Sequence, residues 1–243
     1  MRDIWKRKKG NLRMYKDKNF YLNLFQVSEA QLERLAADGL GGGGSYCDLF
    51  FENTSYNNLF LRDGIVSSGG FHIDYGVGIR VLKGDKTGYA YSESTDPRSM
   101  AEAAAAASKI AEGGLATPAR IQATTCPGPE DRYPSGHDWR SCDAGQIVPW
   151  LERLEGKIGA RDPRIVKIIV SFSGQVSDIL MFNSLGELTY DTRPMGVLSA
   201  SAVFSQNGRI ENKNTSRAFR AGTEMLTDAI LDEMADSICL LYT

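Results

Sequence analysis

An α+β fold is expected from this sequence, with two groups of antiparallel β-meanders packed against helices. Three observations point there. Apolar residues alternate with polar ones in two blocks, near residues 47–92 and 166–213, and tight-turn signals such as Asp63-Gly64 and Asn207-Gly208 divide each block. Between and around the blocks lie stretches with helical spacing and recognisable caps. Hydrophobic residues at 42% and charged residues at 24% are ordinary for a globular chain, and 243 residues suffice for a sizeable core.

The elements follow in order. Ser28 to Gln31 has capping-box spacing, and Leu32, Leu35 and Ala36 continue a helical face. The run Gly39-Leu40-Gly41-Gly42-Gly43-Gly44-Ser45 ends that helix and reads either as a flexible linker or as a natural helix-to-strand loop. Cys47, Leu49 and Phe51 alternate in a first strand, and a second spans about Tyr56 to Arg62. A third runs from Ile65 to Ile73. Gly76-Val77-Gly78 then leads through Ile79 and Val81 to a turn at Gly84-Asp85, and a return strand covers Thr87 to Ser92. Asp96-Pro97 supplies an N-cap and a first-turn proline for an alanine-rich helix that stops at Gly113-Gly114 and is expected to cover the meander.

Residues 115–146 hold four prolines and no period, which predicts a long irregular surface loop. A helix is expected near Val148-Pro149, with Leu151, Leu154 and Ile158 on one face and Pro149 in the first turn. Strands follow at Val166–Phe172, Ile179–Phe182, Glu187–Arg193, Val197–Phe204 and Arg209–Lys213. A last helix runs from about Glu224, carrying Leu226, Ile230, Met234 and Ile238. The domain reading is a basic tail over 1–20 and one α+β domain over 21–243.

Residues 1–20 carry a net charge of +6 and the remainder −8. The basic start reads as a solvated tail or as an arm for nucleic acid or anionic lipid, whereas the acidic body argues against a nucleic-acid face. The apolar run Phe20 to Phe25 is broken by Asn23 and too short for a secretory signal. No stretch approaches the ~20 apolar residues of a membrane span. Four cysteines at irregular spacing make no disulfide framework, so the cytoplasm is expected.

Groups that could run a reaction are sparse. The only histidines are His72 and His137, and no HExxH or HExxxH occurs. Cys126, His137 and Cys142 share the irregular loop, in a spacing that fits no common zinc module. They read as incidental residues or as a zinc clip, and the second reading would make the chain a self-contained enzyme. His137 beside Asp138 is the one candidate base and orienting acid, without a nucleophile motif such as GxSxG. Cys47 reads as a small core residue and Cys239 as an inert one on the last helix. Gly76-Val77-Gly78 lacks the third glycine of a dinucleotide site. Gly84-Asp85-Lys86-Thr87-Gly88 leads into a strand, so Lys86 reads as a solvent-facing turn residue. Asp191 and Arg193, before Pro194, read as a local ion pair or as strand-end contacts to a substrate.

Longer motifs are more telling. Tyr46-Cys47-Asp48-Leu49-Phe50-Phe51-Glu52 resembles the "YADLYFE"-like first strand of the TldD/PmbA family. Ile73 to Val81 followed by Gly84 to Tyr91 resembles its "GVGVRV…G.KTGFAY" signature, in the TldD branch rather than the PmbA (TldE) branch. Arg161-Asp162-Pro163-Arg164-Ile165, Asn183-Ser184-Leu185-Gly186 and Asp191-Thr192-Arg193-Pro194 extend the resemblance over about residues 28–235. It implies a cytoplasmic zinc metallopeptidase, of a group once called modulators of DNA gyrase, that processes or degrades small unfolded peptides as a homo- or heterodimer with a TldD/PmbA-type subunit. It implies an N-terminal α+β domain followed by a catalytic domain with an HExxxH helix. The chain ends at Thr243, where that second domain would begin, so a fragment without the catalytic domain is expected, inactive alone. No catalytic, cofactor-binding or metal-ligating role is assigned to any residue present; zinc is expected in the second domain. An exposed sheet edge could hold an extended peptide. The alternative is a non-enzymatic binding or regulatory module of the gyrase-modulator type, with no nucleic-acid or membrane contact.

Overall fold

The computed structural model describes residues 5–8, 11–14, 16–110, 121–125 and 137–239. Its elements are β1 (Trp5–Lys8), β2 (Asn11–Met14), α1 (Lys18–Leu24), α2 (Glu29–Leu40), β3 (Tyr46–Arg62), β4 (Ile65–Lys83), β5 (Lys86–Ser92) and α3 (Pro97–Ile110). Then come β6 (Thr124–Thr125), α4 (Ala144–Arg161), β7 (Ile165–Asn183), β8 (Glu187–Gln206), β9 (Arg209–Phe219) and α5 (Asp228–Cys239). The fold is α+β, as expected. Neighbouring strands follow the order β5-β4-β3-β7-β8-β6, with β9 also on β8. β1 and β2 pair separately as an antiparallel ribbon.

Four pairs of expected strands are single long ones. β3 continues through Asn53-Thr54-Ser55 because its polar side chains are satisfied within the sheet. The fully buried Thr54 hydroxyl lies 2.5 Å from Glu52 Oε1 and 2.7 Å from Ser177 Oγ. β4 continues through Gly76, whose φ of +156° suits glycine and where a Cβ would lie 2.2 Å from the Ser92 carbonyl oxygen. Likewise β7 runs past Gly174, and β8 runs through Pro194 instead of ending at Arg193. Among the described residues, no strand pairs with that edge of β8 between β6 at Leu188 and β9 from Gly196. The Asp63-Gly64 and Asn207-Gly208 turns form as read, with both residues of each pair at positive φ.

Helix starts follow local chemistry. Ser28 and Gln31 exchange both capping-box bonds. Asp96 accepts from the Arg98 and Ser99 N–H groups, each at 3.0 Å, and the Ser99 and Ser94 hydroxyls help hold its carboxyl below the usual range. α4 begins four residues before Val148, because Asp143 and Gln146 form a second capping box. Pro149 therefore sits in the second turn, not the first. The last helix opens at Asp228, after a separate 3₁₀ turn at Thr223–Met225. α1 is an additional helix, opened by the Asp17 side chain, which the apolar spacing does not announce.

The chain forms two compact units, each drawing on the long strands. The first comprises residues 1–54, 74–132 and 177–192. Its core sets α2 (Leu32, Leu35, Ala36) and the alanine face of α3 (Ala103, Ala104, Ala107) on strand residues such as Leu49, Phe51, Ile79 and Val81. The second comprises residues 55–73, 133–176 and 193–243. There α4 (Leu151, Leu154, Ile158) and α5 (Leu231, Met234, Ile238) cover one face of β7, β8 and β9. Arg153, Lys157 and Arg161 of α4 pair with Asp228, Asp232 and Asp236 of α5. The constant offset of 75 residues means the two helices run parallel and in step. Among the described residues no helix is long and apolar enough to cross a membrane.

Candidate functional site

In the second unit, the face of β7, β8 and β9 turned away from α4 and α5 carries a row of small polar side chains. The inward positions Leu198, Ala200 and Ala202 alternate with Ser199 and Ser201, so a period of two alone separates core from polar face. Register then sets Ser199 opposite Ser216 and Ser201 opposite Asn214. Together with Ser171, Ile169 and Phe60 these side chains line an open groove of about 370 Å³. Among the described residues no charged group lines it. Hydroxyls both donate and accept, and amides offer one group of each kind, which matches the alternating N–H and C=O groups of an extended peptide.

Trp139 plugs the sheet from the helix side. It is buried, donates its indole N–H to the Ala221 carbonyl at 2.8 Å, and packs on Phe172 with ring centroids 4.7 Å apart. The Trp139–Phe172 pair leaves room only for glycine nearby: a Cβ at Gly174 would stand 2.8 Å from the Phe172 ring and 3.3 Å from the indole, and one at Gly196 would stand 2.6 Å from the indole.

The first unit holds a buried polar cluster. Lys16 Nζ lies 2.6 Å from Asp178, which is wholly buried. The Thr192 hydroxyl donates to the same Asp178 oxygen at 2.5 Å and sits 2.7 Å from the Tyr21 hydroxyl. Burial is the largest influence on Tyr21 and pushes its phenol well above the usual tyrosine range. The cluster ties Lys16, and Tyr21 of α1, to β7 and β8. It is a satisfied anchor, with no unpaired acid or base left to take up a substrate proton.

The residues singled out from sequence are dispersed. Cys126 lies outside the described residues. Cys142 is half-buried, its thiol pushed up by burial, with its sulfur 3.8 Å from the Asp138 carbonyl oxygen. Asp138 caps the 3₁₀ turn Trp139–Ser141 and holds the Arg140 guanidinium at 3.0 Å, so its carboxylate is engaged in local structure beside His137. His72 stacks on Tyr56, with centroids 4.3 Å apart and rings nearly parallel at 9°. Asp191 and Arg193 sit inside β8, which corrects their reading as strand-end residues. Lys86 is an exposed residue next to the β4–β5 turn, and Cys47 is a fully buried core residue. Among the described residues, no three His, Cys, Asp or Glu side chains gather into a group that could hold a metal ion. The donors among the described residues therefore do not fit a zinc centre.

The groove and the anchor were not read from the sequence. The serines at alternate positions 171/173 and 199/201 were a usable signal for the groove. The anchor joins residues up to 176 positions apart, which leaves no local pattern.

Comparison with known proteins gives this architecture a family. Residues 47–111 match the model for PmbA/TldA metallopeptidase domain 1, and residues 138–239 match that for the PmbA/TldA metallopeptidase central domain. A metalloprotease TldD homolog of Haemophilus influenzae is 29% identical over 188 residues, covering 76% of this chain and 38% of the relative. A TldD homolog of Buchnera aphidicola is 26% identical over 168 residues, with 68% and 34% covered. The chain thus spans little more than a third of the length of these relatives. Among solved structures, TldE from Thermococcus kodakarensis superposes with a TM-score of 0.67 at 12% identity, covering 88% of this chain and 48% of that one. A proposed modulator of a DNA gyrase from Thermotoga maritima gives 0.65 at 18% identity, covering 87% and 47%, and these two likenesses speak to the fold. With both family domains present in their order along one chain, the protein belongs to the PmbA/TldD family.

Proposed function

We propose that this chain is the noncatalytic N-terminal part of a TldD-like zinc metallopeptidase that handles small unfolded peptides in the cytoplasm. The observation that carries the reading is the ordered pair of family domains, combined with the metalloprotease name of the relatives. In the whole protein a zinc-activated water and a glutamate base would perform hydrolysis, on an HExxxH helix outside residues 1–243. The chain would act beside a TldD- or PmbA-type subunit. Its own contribution is a shaped wall: the Ser/Asn-lined groove accepts an extended, unfolded peptide through main-chain hydrogen bonds, with little demand on side-chain identity.

Amide-shift NMR of the isotopically labelled protein, titrated with a short unstructured peptide, tests the wall. Shifts should concentrate at Ser171, Ser199, Ser201, Asn214 and Ser216. An unchanged spectrum at millimolar peptide removes the groove from the reading.

A further inference from the structure

The basic start of the chain contains a paired ribbon. β1 and β2 run antiparallel, with Trp5 opposite Met14, Lys6 opposite Arg13, Arg7 opposite Leu12 and Lys8 opposite Asn11. Residues 5–13 hold five basic residues, Lys6, Arg7, Lys8, Lys9 and Arg13, and no acidic one. The charge asymmetry of the chain, +6 over residues 1–20 against −8 over the remainder, is therefore concentrated in this segment.

Two features of the ribbon point to a polyanion. The first is register. Like charges directly opposite each other destabilise a strand pair, and Lys6 stands opposite Arg13. A two-stranded ribbon is already marginal in water on its own. A phosphate between the two positions turns that repulsion into attraction. The second is the distribution over faces. Successive strand positions alternate between faces, so the consecutive Lys6, Arg7 and Lys8 give basic positions on both faces of the ribbon. A lipid surface suits an element with one apolar face and one basic face. An element basic on both faces suits a groove with phosphates along both walls. A two-stranded ribbon fits the major groove of B-form DNA, about 12 Å wide, whereas the major groove of an RNA duplex is too narrow to admit it.

We infer that the β1–β2 ribbon is an arm for double-stranded DNA, seated in the major groove and held by phosphate contacts from Lys6, Arg7, Lys8, Lys9 and Arg13. Phosphate contacts fix position and carry no sequence information, so the arm binds without sequence preference. The remainder of the chain, at −8, repels the duplex and confines the contact to the arm. The sequence-level argument against a nucleic-acid face applies to that acidic remainder and leaves the arm untouched. The inference is independent of the peptide-binding reading, because it concerns other residues and another class of ligand.

Fluorescence anisotropy of a short labelled DNA duplex, titrated with the 243-residue protein at a series of salt concentrations, tests it. Five neutralised phosphates give a log–log slope of affinity against salt of about −4.5, a loss on the order of 500-fold between about 50 and about 200 mM salt. Lys6→Gln with Arg13→Gln removes two contacts and should flatten the slope to about −2.7. That variant also removes the like-charge pair, so it does not weaken the ribbon and its effect reads the contacts. Lys86→Gln with Lys109→Gln removes two exposed charges outside the arm and should leave the slope unchanged. Absence of binding at about 50 mM salt overturns the inference. So does a slope indifferent to the ribbon variant, or equal flattening by both variants. Duplex RNA bound as tightly as duplex DNA removes the groove, and phosphatidylserine vesicles bound in preference to the duplex assign the arm to a membrane; either result also overturns it.

Discussion

The Cys47 thiol is sealed between β3 and α2. A Cβ on Gly39 would lie 2.7 Å from its sulfur, so glycine at 39 is what lets the helix settle on the strand. Burial, with a smaller push from the neighbouring Asp48 carboxylate, raises this thiol from its ordinary value near 9 to about 12. A raised acid pKa means the folded state keeps a proton that the unfolded chain gives up. The thiol's contribution to stability is thus fully present below about pH 9 and is lost as pH climbs toward about 12. Urea unfolding across that window, compared with Cys47→Ala, should show the parent losing up to about 1.4 kcal/mol more per pH unit. A difference between the two proteins that stays flat through the window contradicts the assignment. The same seal should keep Cys47 unmodified by a thiol reagent in the folded protein, as read by peptide mapping.

At the scale of elements, the parallel pair α4 and α5 is joined by three rungs, Arg153–Asp228, Lys157–Asp232 and Arg161–Asp236. Asp232 also approaches Arg161 at 3.5 Å, and Lys157 approaches Asp228 at 3.8 Å, so the rungs form a network. Neutralising Asp232 as Asn should lower the urea midpoint, and the gap from the parent should close in about 1 M salt, where screening acts within about 3 Å. A gap that salt leaves untouched would mean the carboxylate acts by packing, not charge. Some of this level was readable in advance. Capping chemistry is local, so Ser28, Asp96 and the Asp-Gly and Asn-Gly turns declared themselves. Strand lengths did not. The polar break at Thr54 is closed by Ser177, far away in sequence, and the glycines at 174 and 196 make room for Phe172 and Trp139 inside continuous strands. A glycine in a strand announces an interruption or a close approach equally well, and only the tertiary partner decides between them. For the same reason Asp191, Arg193 and Pro194 looked terminal while lying inside β8.

On the scale of the whole molecule, the buried polar groups of the described residues are all partnered. Asp178 is spent on Lys16 and Thr192, and Asp138 on a turn and Arg140. The Ser/Asn-lined groove is an open surface among the described residues. The family resemblance legible in the motifs of residues 46–91 holds in the domain matches, because those motifs encode turns and strand edges that the fold requires. On the reading proposed above, this chain shapes the space for a peptide and leaves bond cleavage to residues it does not contain. Incubating the purified 243-residue protein with zinc and an unstructured fluorogenic peptide tests this most directly. No cleavage above the protein-free rate is expected, with or without chelator. Sustained hydrolysis that disappears on chelation and returns with zinc would contradict it.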